Sequence, residues 1–194
     1  MSRRPVLLVP GWSDRPSALG RIRSHLTGSG WPSAWVASIG FQDRYGSNVT
    51  HAREIAEIVD RLAALSPDRA VDIVAHSMGG LAVRYFLQHY PAGRGIRRII
   101  FLGTPHAGTW AAWFAWGAAR PELKRGSSFL ESLTLPPDVR PELYSLYTSL
   151  DFRVPPSSAQ LPGSRCISIA CLGHRRLLRS PTALARITEL LGRQ

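Results

Sequence analysis

The sequence predicts an α/β fold with about six mostly parallel strands and helices on both faces of the sheet. Short continuous apolar runs alternate along the chain with segments whose apolar residues recur at helical spacing. Continuous apolar runs are typical of strands covered on both faces, and strands that alternate with helices form parallel sheets through right-handed crossovers. The 194 residues suit one domain, which we expect to span 1–194.

The apolar runs are the predicted strands. They are Val6–Val9, Trp35–Ile39, Val71–Ala75, Ile99–Leu102, Leu143–Leu150 and Ile167–Leu172. Cys166 and Cys171 belong to the last of these regions. On an extended strand their Cα atoms lie too far apart for a disulfide, so we expect two ordinary buried thiols.

Apolar residues at helical spacing mark three of the helices between and after these strands. They are Ala52, Ile55, Val59 and Leu62; Leu81, Ala82, Tyr85 and Phe86; and Leu184, Ile187 and Leu191. The last helix has Ser180 as its predicted N-cap, Pro181 at its first position and Gly192 at its end, which are the usual residue types at those places.

The segment 110–141 interrupts this alternation. It is rich in tryptophan and proline and contains no convincing strand, so we expect an excursion over one end of the sheet that acts as a lid or a substrate wall. Trp110, Trp113 and Trp116 recur at a spacing of three and can share one helical face. That face is either an acyl-binding, lipid-facing wall or ordinary packing against the sheet, and both interpretations stay open.

The formal net charge of +11 comes almost entirely from arginine, since Lys124 is the only lysine. The arginines are scattered without a long basic run, which disfavours nucleic-acid binding, whereas an anionic lipid surface or an acidic partner would be attracted by the same field. No apolar stretch has the roughly 20 residues that span a bilayer, and Met1–Pro5 does not begin a convincing signal peptide. We therefore expect a cytoplasmic protein, with secretion by another route left open. The sequence does not determine the oligomeric state, for which a monomer is the default, and we expect no metal or other cofactor.

The region around Ser77 carries the predicted chemistry. A buried strand leads through His76 into Ser77, and a helical pattern begins directly afterwards. Such a tight turn strains the serine and exposes its hydroxyl, and it needs small residues two positions before and after, here Ala75 and Gly79. Ser77 is therefore the predicted nucleophile, and a glycine-rich turn with an incidental serine is the alternative.

A serine nucleophile needs a histidine base that a carboxylate orients, and on this type of fold the acid and then the histidine follow the serine along the chain. His174 follows the last predicted strand and precedes the last helix, which places it at the same sheet edge as Ser77. A surface-loop histidine is the competing interpretation. The other histidines are disfavoured by their positions: His25, His51, His76, His89 and His106.

Asp151 is the predicted acid, because it directly follows a strand-like run; a plain turn residue is the competing interpretation. The other carboxylates between the serine and the histidine are Glu122, Glu131, Asp138 and Glu142. We expect the glutamates to be solvated surface charges. The oxyanion of the reaction would be held by the backbone N–H groups of Met78 and of Trp12, whose indole would cover the acyl group.

With these residues in place, the chain resembles the small bacterial lipases and esterases of the α/β-hydrolase superfamily, especially the class 2 lipases. It is more distantly similar to the glycosylphosphatidylinositol inositol-deacylases. The matching segments are 71–80, 102–109, 126–130, Asp151 with Val154–Pro155, and 172–178. The resemblance implies a minimal α/β-hydrolase with Ser77, Asp151 and His174 as its catalytic triad. The chain departs from the family at Pro10, where a histidine is usual.

We expect a lipase or esterase that cleaves triacylglycerol or other apolar acyl esters through an acyl-enzyme. Substrate contacts are expected from Trp12, His76, Trp110 and Trp113. A thioesterase or an acyltransferase would use the same triad. The alternative from another class is a non-catalytic scaffold that recruits an acidic partner through its arginines.

Overall fold

The computed structural model describes residues 3–137 and 140–193. Its centre is a single sheet of six strands in the order β2-β1-β3-β4-β5-β6, and every pair of neighbours is parallel. The strands are β1 Val6–Val9, β2 Val36–Ser38, β3 Val71–His76, β4 Ile96–Leu102, β5 Glu142–Tyr147 and β6 Arg165–Ser168. The predicted α/β class with six parallel strands is confirmed.

Helices cover both faces of the sheet. Their bounds are α1 Gly20–Gly28, α2 Asn48–Ala63, α3 Gly79–His89, α4 Ala119–Glu122, α5 Ser128–Ser132, α6 Pro156–Ala159 and α7 Pro181–Leu191. Leu7 of β1 packs in the core beneath α2 and α3, while the adjacent Leu8 packs in the core beneath α1 and α7. Because successive side chains of a strand point to opposite faces, a sheet covered on both sides needs the continuous apolar runs seen in the sequence.

The predicted start of the last helix is confirmed. The Ser180 hydroxyl accepts a hydrogen bond from the Ala183 N–H, and Pro181 occupies the first helical position, where its missing N–H costs nothing. At α2, Ser47 plays the same part and accepts from the Thr50 N–H at 3.1 Å. These caps fix where the two helices begin.

Some strands begin or end at other residues than predicted, because turns or side-chain hydrogen bonds replace the backbone pairing between strands there. Trp35 lies in a 3₁₀ turn that precedes β2. β5 ends at Tyr147, because the next residue, Thr148, donates its hydroxyl to the Cys171 carbonyl, and pairing resumes only as an isolated bridge between Leu150 and Leu172.

The cysteines are free, as the strand geometry predicts, but the expectation that both are buried is wrong. Cys166 is exposed and Cys171 is half-buried. The reason is the position of β6, which is the outermost strand of the sheet and has few covered side chains. An apolar run by itself does not distinguish an edge strand from a central one.

The segment 110–141 forms short turns and helices and, in its described part, no strand before β5 begins at Glu142. The segment is anchored by Glu122, whose carboxylate accepts from the backbone N–H and the side-chain Nδ2 of Asn48, both at 2.7 Å. Glu122 therefore caps the start of α2, and the expectation of a solvated surface charge is wrong for it. Asp138 lies outside the described residues. None of the described helices is long and apolar enough to cross a membrane.

Candidate active site

Ser77 stands on a strained turn between β3 and α3. Its φ of +52° lies in the left-handed region that residues other than glycine rarely adopt. Its N–H donates to the Leu102 carbonyl at 2.9 Å, which ties the turn to the end of β4. A Cβ at Gly79 would lie 2.2 Å from the Pro10 carbonyl oxygen, so only glycine fits there. These constraints hold the Ser77 side chain at the carboxyl edge of the sheet.

Asp151 and His174 meet at the same edge. Asp151 follows β5, His174 follows β6, and the His174 Nδ1 lies 2.7 Å from the Asp151 Oδ2. The other carboxylate oxygen, Oδ1, accepts from the N–H groups of Arg153 at 2.8 Å and Val154 at 3.0 Å. Burial acts to raise the pKa of the Asp151 carboxyl, but the hydrogen bonds and the neighbouring imidazole outweigh it and lower the pKa below its usual value. The carboxylate is therefore charged and oriented toward the imidazole.

Ser77 and His174 line one cavity of about 530 Å³. Its polar side is formed by the turn at Ser77 and by the loop after β1. Its apolar side comes from the segment after β4 and contains Trp110, Ala111, Phe114, Ala115, Trp116 and Leu123. An apolar cavity with a few convergent polar groups is typical of a small-molecule site.

The loop after β1 brings Trp12 to this cavity, which is also lined by Met78 at the start of α3. Among the described residues no backbone carbonyl accepts a hydrogen bond from the backbone N–H of either residue. The loop is held by Arg44, whose carbonyl accepts from the Ser13 N–H and whose guanidinium donates to the Ser13 carbonyl, both at 3.1 Å. The Trp12 indole donates to the Trp116 carbonyl at 3.2 Å. Trp12 and Met78, which carry the two predicted oxyanion donors, therefore both line the cavity, and their role as donors stays a prediction.

Sequence reasoning missed the position of Asp14, which joins the loop after β1 to the loop after β6. Its Oδ1 lies 2.7 Å from the Arg175 guanidinium, and its Oδ2 lies 3.6 Å from the Nδ1 of His76. Burial acts to raise the pKa of Asp14, but His76 and Arg175 together lower it. A single aspartate after a strand gives no sequence signal for such a long-range pair.

His76 forms the buried floor of the site. Its side chain is 2% exposed, and its ring centroid lies 4.7 Å from that of His174. Burial lowers the pKa of His76 to about 4, so this buried ring is neutral at pH 7. His76 is among the lining residues, as predicted for a substrate contact, but it presents very little surface to the cavity.

The three tryptophans of the predicted helical face have different surroundings. The stretch from Trp110 is a 3₁₀ turn that ends at Phe114. Trp110 and Trp116 line the cavity, whereas Trp113 does not; it is 67% exposed, and the Lys124 ammonium lies 5.1 Å from its ring centroid. Trp113 therefore does not line this cavity, and its predicted contact with substrate stays a prediction; Phe114, which the sequence reasoning missed, does line it. The 3₁₀ turn is too short to keep all three rings on one face.

Within the described part of the chain, no group of three or more histidine, cysteine, aspartate or glutamate side chains is placed to hold a metal ion. The polar residues that line the cavity include Ser77, His174, Asp14 and Arg175. They suit chemistry by nucleophile, base and hydrogen-bond donors.

Solved structures with the same architecture include three enzymes from other organisms. The mature Bacillus licheniformis lipase BlEst2 superposes with a TM-score of 0.85 at 18% identity, covering 97% of this chain and 92% of that one. Aspergillus fumigatus lipase B gives 0.80 at 19% identity, covering 99% and 53%. The Legionella pneumophila phospholipase PlaB, in complex with thio-NAD, gives 0.79 at 15% identity, covering 97% and 58%. At these identities the likeness is one of fold.

The sequence itself provides the family assignment. A sequence model of the alpha/beta hydrolase fold family matches residues 7–128, which is more than half of the chain and includes the loop after β1, the turn at Ser77 and the apolar wall of the cavity. Together with the six-stranded parallel sheet, this match shows that the chain belongs to the α/β-hydrolase fold family.

Proposed function

We propose that the protein is a serine hydrolase of carboxylic esters, with Ser77 as nucleophile, His174 as base and Asp151 as the acid that orients it. The observation that carries this proposal is the 2.7 Å contact between Asp151 and His174 at the rim of a cavity that the strained Ser77 shares. An Asp151 carboxylate that accepts from Nδ1 leaves Nε2 of the neutral imidazole free to accept a proton.

The reaction then proceeds in two halves. The Ser77 Oγ attacks the ester carbonyl and gives its proton to His174, while the N–H groups of Trp12 and Met78 donate to the oxyanion. His174 returns the proton to the leaving alcohol as the ester bond breaks, which leaves an acyl-serine. Water, deprotonated by His174, attacks the acyl carbon, and the acid departs as Ser77 recovers its proton.

The acyl group of the substrate would lie along the apolar wall formed by Trp110, Phe114 and Trp116. These three side chains are 50%, 72% and 72% exposed, although they line the catalytic cavity. Burying such surface on an acyl chain contributes about 25 cal/mol per Å². The exposed rings also support contact between the cavity mouth and a lipid surface, where tryptophan is favoured and where the net charge of +11 would favour anionic lipid.

The deciding experiment is hydrolysis of p-nitrophenyl esters from acetate to palmitate by the native chain and by Ser77→Ala. We expect turnover by the native chain and none above background by Ser77→Ala. Ser24→Ala, an exposed serine on α1, is the matched control and should keep full activity. Turnover retained by Ser77→Ala would overturn the proposal, and the chain-length profile would separate esterase from lipase.

The same triad also serves thioester hydrolysis and acyl transfer, because both pass through an acyl-serine. Product analysis with competing alcohols and with acyl thioesters separates them. Transfer of the acyl group to an alcohol in preference to water would identify an acyltransferase, and faster turnover of a thioester than of the matching ester would identify a thioesterase.

A further inference from the structure

A second cavity of about 430 Å³ opens beside His174, and we name it the arginine groove. Its lining residues are Phe152, Arg153, Leu172, Gly173, His174, Arg175, Arg176 and Arg179. It shares Arg153, His174 and Arg175 with the catalytic cavity but contains neither Trp110 nor Phe114 of the aromatic wall. The groove therefore begins at the catalytic histidine and extends away from the acyl wall.

The groove is strongly positive. Four of its eight lining residues are arginines, and none is acidic. Arg175 is paired with Asp14 at 2.7 Å, whereas in the described part of the chain the guanidinium groups of Arg153, Arg176 and Arg179 form no ion pair. Arginine residues that line one cavity and have no acidic partner are suited to a phosphate, which their planar donors bind in bidentate fashion.

The groove also exposes apolar surface between the charges. Phe152 is 64% exposed and Leu172 is 63% exposed, and both line it. A ligand that combines an apolar part with a phosphate would satisfy both features at once. A wholly apolar ester would leave the guanidinium groups without a partner, and inorganic phosphate would leave the apolar side chains of Phe152 and Leu172 in water.

The chemistry of the proposed reaction determines which part of a substrate reaches this groove. His174 must protonate the leaving oxygen or sulfur, so the leaving group lies against His174 while the acyl chain lies along the aromatic wall. We propose that the arginine groove binds a phosphate carried by the leaving alcohol or thiol of the substrate. This inference rests on the proposed function and narrows its substrate class to phosphate-bearing acyl esters or thioesters. The phosphate belongs either to a lipid headgroup or to a soluble phosphorylated carrier.

The test compares substrates with the same acyl chain below their micellar concentrations. The phosphate-bearing probes are dihexanoylphosphatidylglycerol and hexanoyl-coenzyme A, and the neutral probes are dihexanoylglycerol and p-nitrophenyl hexanoate. The variant is Arg176→Ala/Arg179→Ala, and the matched control is Arg53→Ala/Arg97→Ala, which removes two exposed arginines on α2 and at the start of β4.

We expect kcat/KM for the preferred phosphate-bearing probe to fall about tenfold in the groove variant, mainly through KM, with the neutral probes changed less than twofold. The control should change neither. Preference for the glycerophospholipid would identify a lipid headgroup, and preference for the coenzyme A thioester would identify a soluble carrier. Equal loss on neutral and charged probes, or a native enzyme that turns over both classes equally, would overturn the inference.

A binding measurement separates this inference from the proposed function. Titration of Ser77→Ala with either phosphate-bearing probe, followed by tryptophan fluorescence, should show binding that the groove variant in the same background weakens about tenfold. If the native chain hydrolyses no ester but this binding difference appears, the proposed function fails while the anion site stands. Binding that is unaffected by the two arginines would overturn the site itself.

Discussion

The backbone conformation of Ser77 and the position of its hydroxyl both depend on the small residue Gly79. The φ of +52° is possible only because α3 starts close against the loop after β1, and Gly79 is the point of closest approach. The strain stored at the serine is offset by the packing of β3 and α3 around it. Residue volume at this turn therefore controls both the stability of the fold and the position of the nucleophile.

Gly79→Ala tests this dependence. The new Cβ would lie 2.2 Å from the Pro10 carbonyl oxygen, so the loop that bears Trp12 must move. We expect a loss of about 1–3 kcal/mol in the free energy of unfolding together with a large loss of ester hydrolysis. Urea unfolding and a p-nitrophenyl ester assay measure the two effects.

Gly28→Ala is the matched control, since a Cβ there meets nothing within 4 Å and Gly28 ends the helix α1. It should raise stability by about 0.5–1 kcal/mol and leave activity unchanged. If Gly79→Ala behaves like this control, the close packing at the turn does not determine its function.

Asp151→Asn tests the acid of the triad. The amide would keep the shape of the side chain but lose the charge that favours a protonated imidazole, and it can hold the ring in the wrong tautomer. We expect kcat to fall by a factor on the order of 10³–10⁴ with little change in KM. Glu131→Gln, an exposed carboxylate of α5, should be silent in the same assay. A loss under tenfold at Asp151 would contradict its assignment.

The residues of the candidate triad could be predicted because three strand ends and their order along the chain restrict the choice to a few side chains. Asp14 and Glu122 could not, because their partners Arg175 and Asn48 are distant in sequence and meet them only in the folded chain. Pairs of this kind leave no periodic pattern and no local motif. Residues whose place is set by strand ends and chain order can therefore be predicted from the sequence. Residues whose role depends on a partner that is distant in the sequence cannot.

At the scale of elements, the candidate site is built from loops that follow separate strands. The loop after β1 and the loop after β6 are joined by the ion pair of Asp14 with Arg175, which is half-exposed at the arginine and buried at the aspartate. Strand pairing alone would leave the loop ends free to move. The pair links the proposed oxyanion donor at Trp12 to the proposed base at His174.

Arg175→Ala should therefore affect catalysis more than stability. We expect kcat for a neutral ester to fall about tenfold, because a small displacement of the donors weakens transition-state binding, while the free energy of unfolding changes by about 1 kcal/mol or less. Arg175→Lys should restore part of the loss. Kinetics with urea unfolding on the same samples measure both effects, and an unchanged kcat would show that the two loops are positioned independently.

Element types and helix starts followed from the sequence because apolar spacing and capping residues are local signals, as at Ser180 and Pro181. Strand ends were less predictable. Thr148 ends β5 by a side-chain bond, and the exposure of Cys166 follows from the position of β6 at the edge of the sheet. Both depend on which strand lies beside which, and apolar runs carry no information about neighbours.

At the scale of the whole molecule, the carboxyl ends and the amino ends of the strands carry different groups of polar side chains. The carboxyl edge holds the candidate site, while the amino ends of β3, β4 and β5 bring Asp72, Arg98 and Glu142 side by side. The Arg98 Nε lies 3.2 Å from the Glu142 carboxylate, but both carboxylate oxygens of Asp72 are buried without a hydrogen-bond partner among the residues that the structure describes. The order of strands that creates this cluster was not predictable from the sequence, because it is fixed by crossovers that leave no local signal.

The buried carboxyl of Asp72 makes the stability of the fold depend on pH. Burial raises the pKa of its carboxyl to about 7, against the opposing charges of Arg98 and Arg4, whereas in the unfolded chain the value is 3.8. Between these values the folded chain holds a proton that the unfolded chain has lost. This contribution to the free energy of unfolding is therefore fully present below pH 3.8 and is lost as the pH rises toward 7.

The asparagine of Asp72→Asn cannot ionise. Between about pH 5 and pH 8 the free energy of unfolding should therefore fall by about 1–3 kcal/mol less in this variant than in the native chain. Urea unfolding at several pH values measures the difference in slope. Glu57→Gln, which removes an exposed carboxylate from α2, is the control and should keep the native slope. Parallel curves for Asp72→Asn and the native chain would mean that Asp72 is ionised in the folded state and that Arg98 compensates its burial. The amino edge would then be an ion-paired network rather than a source of pH-dependent stability.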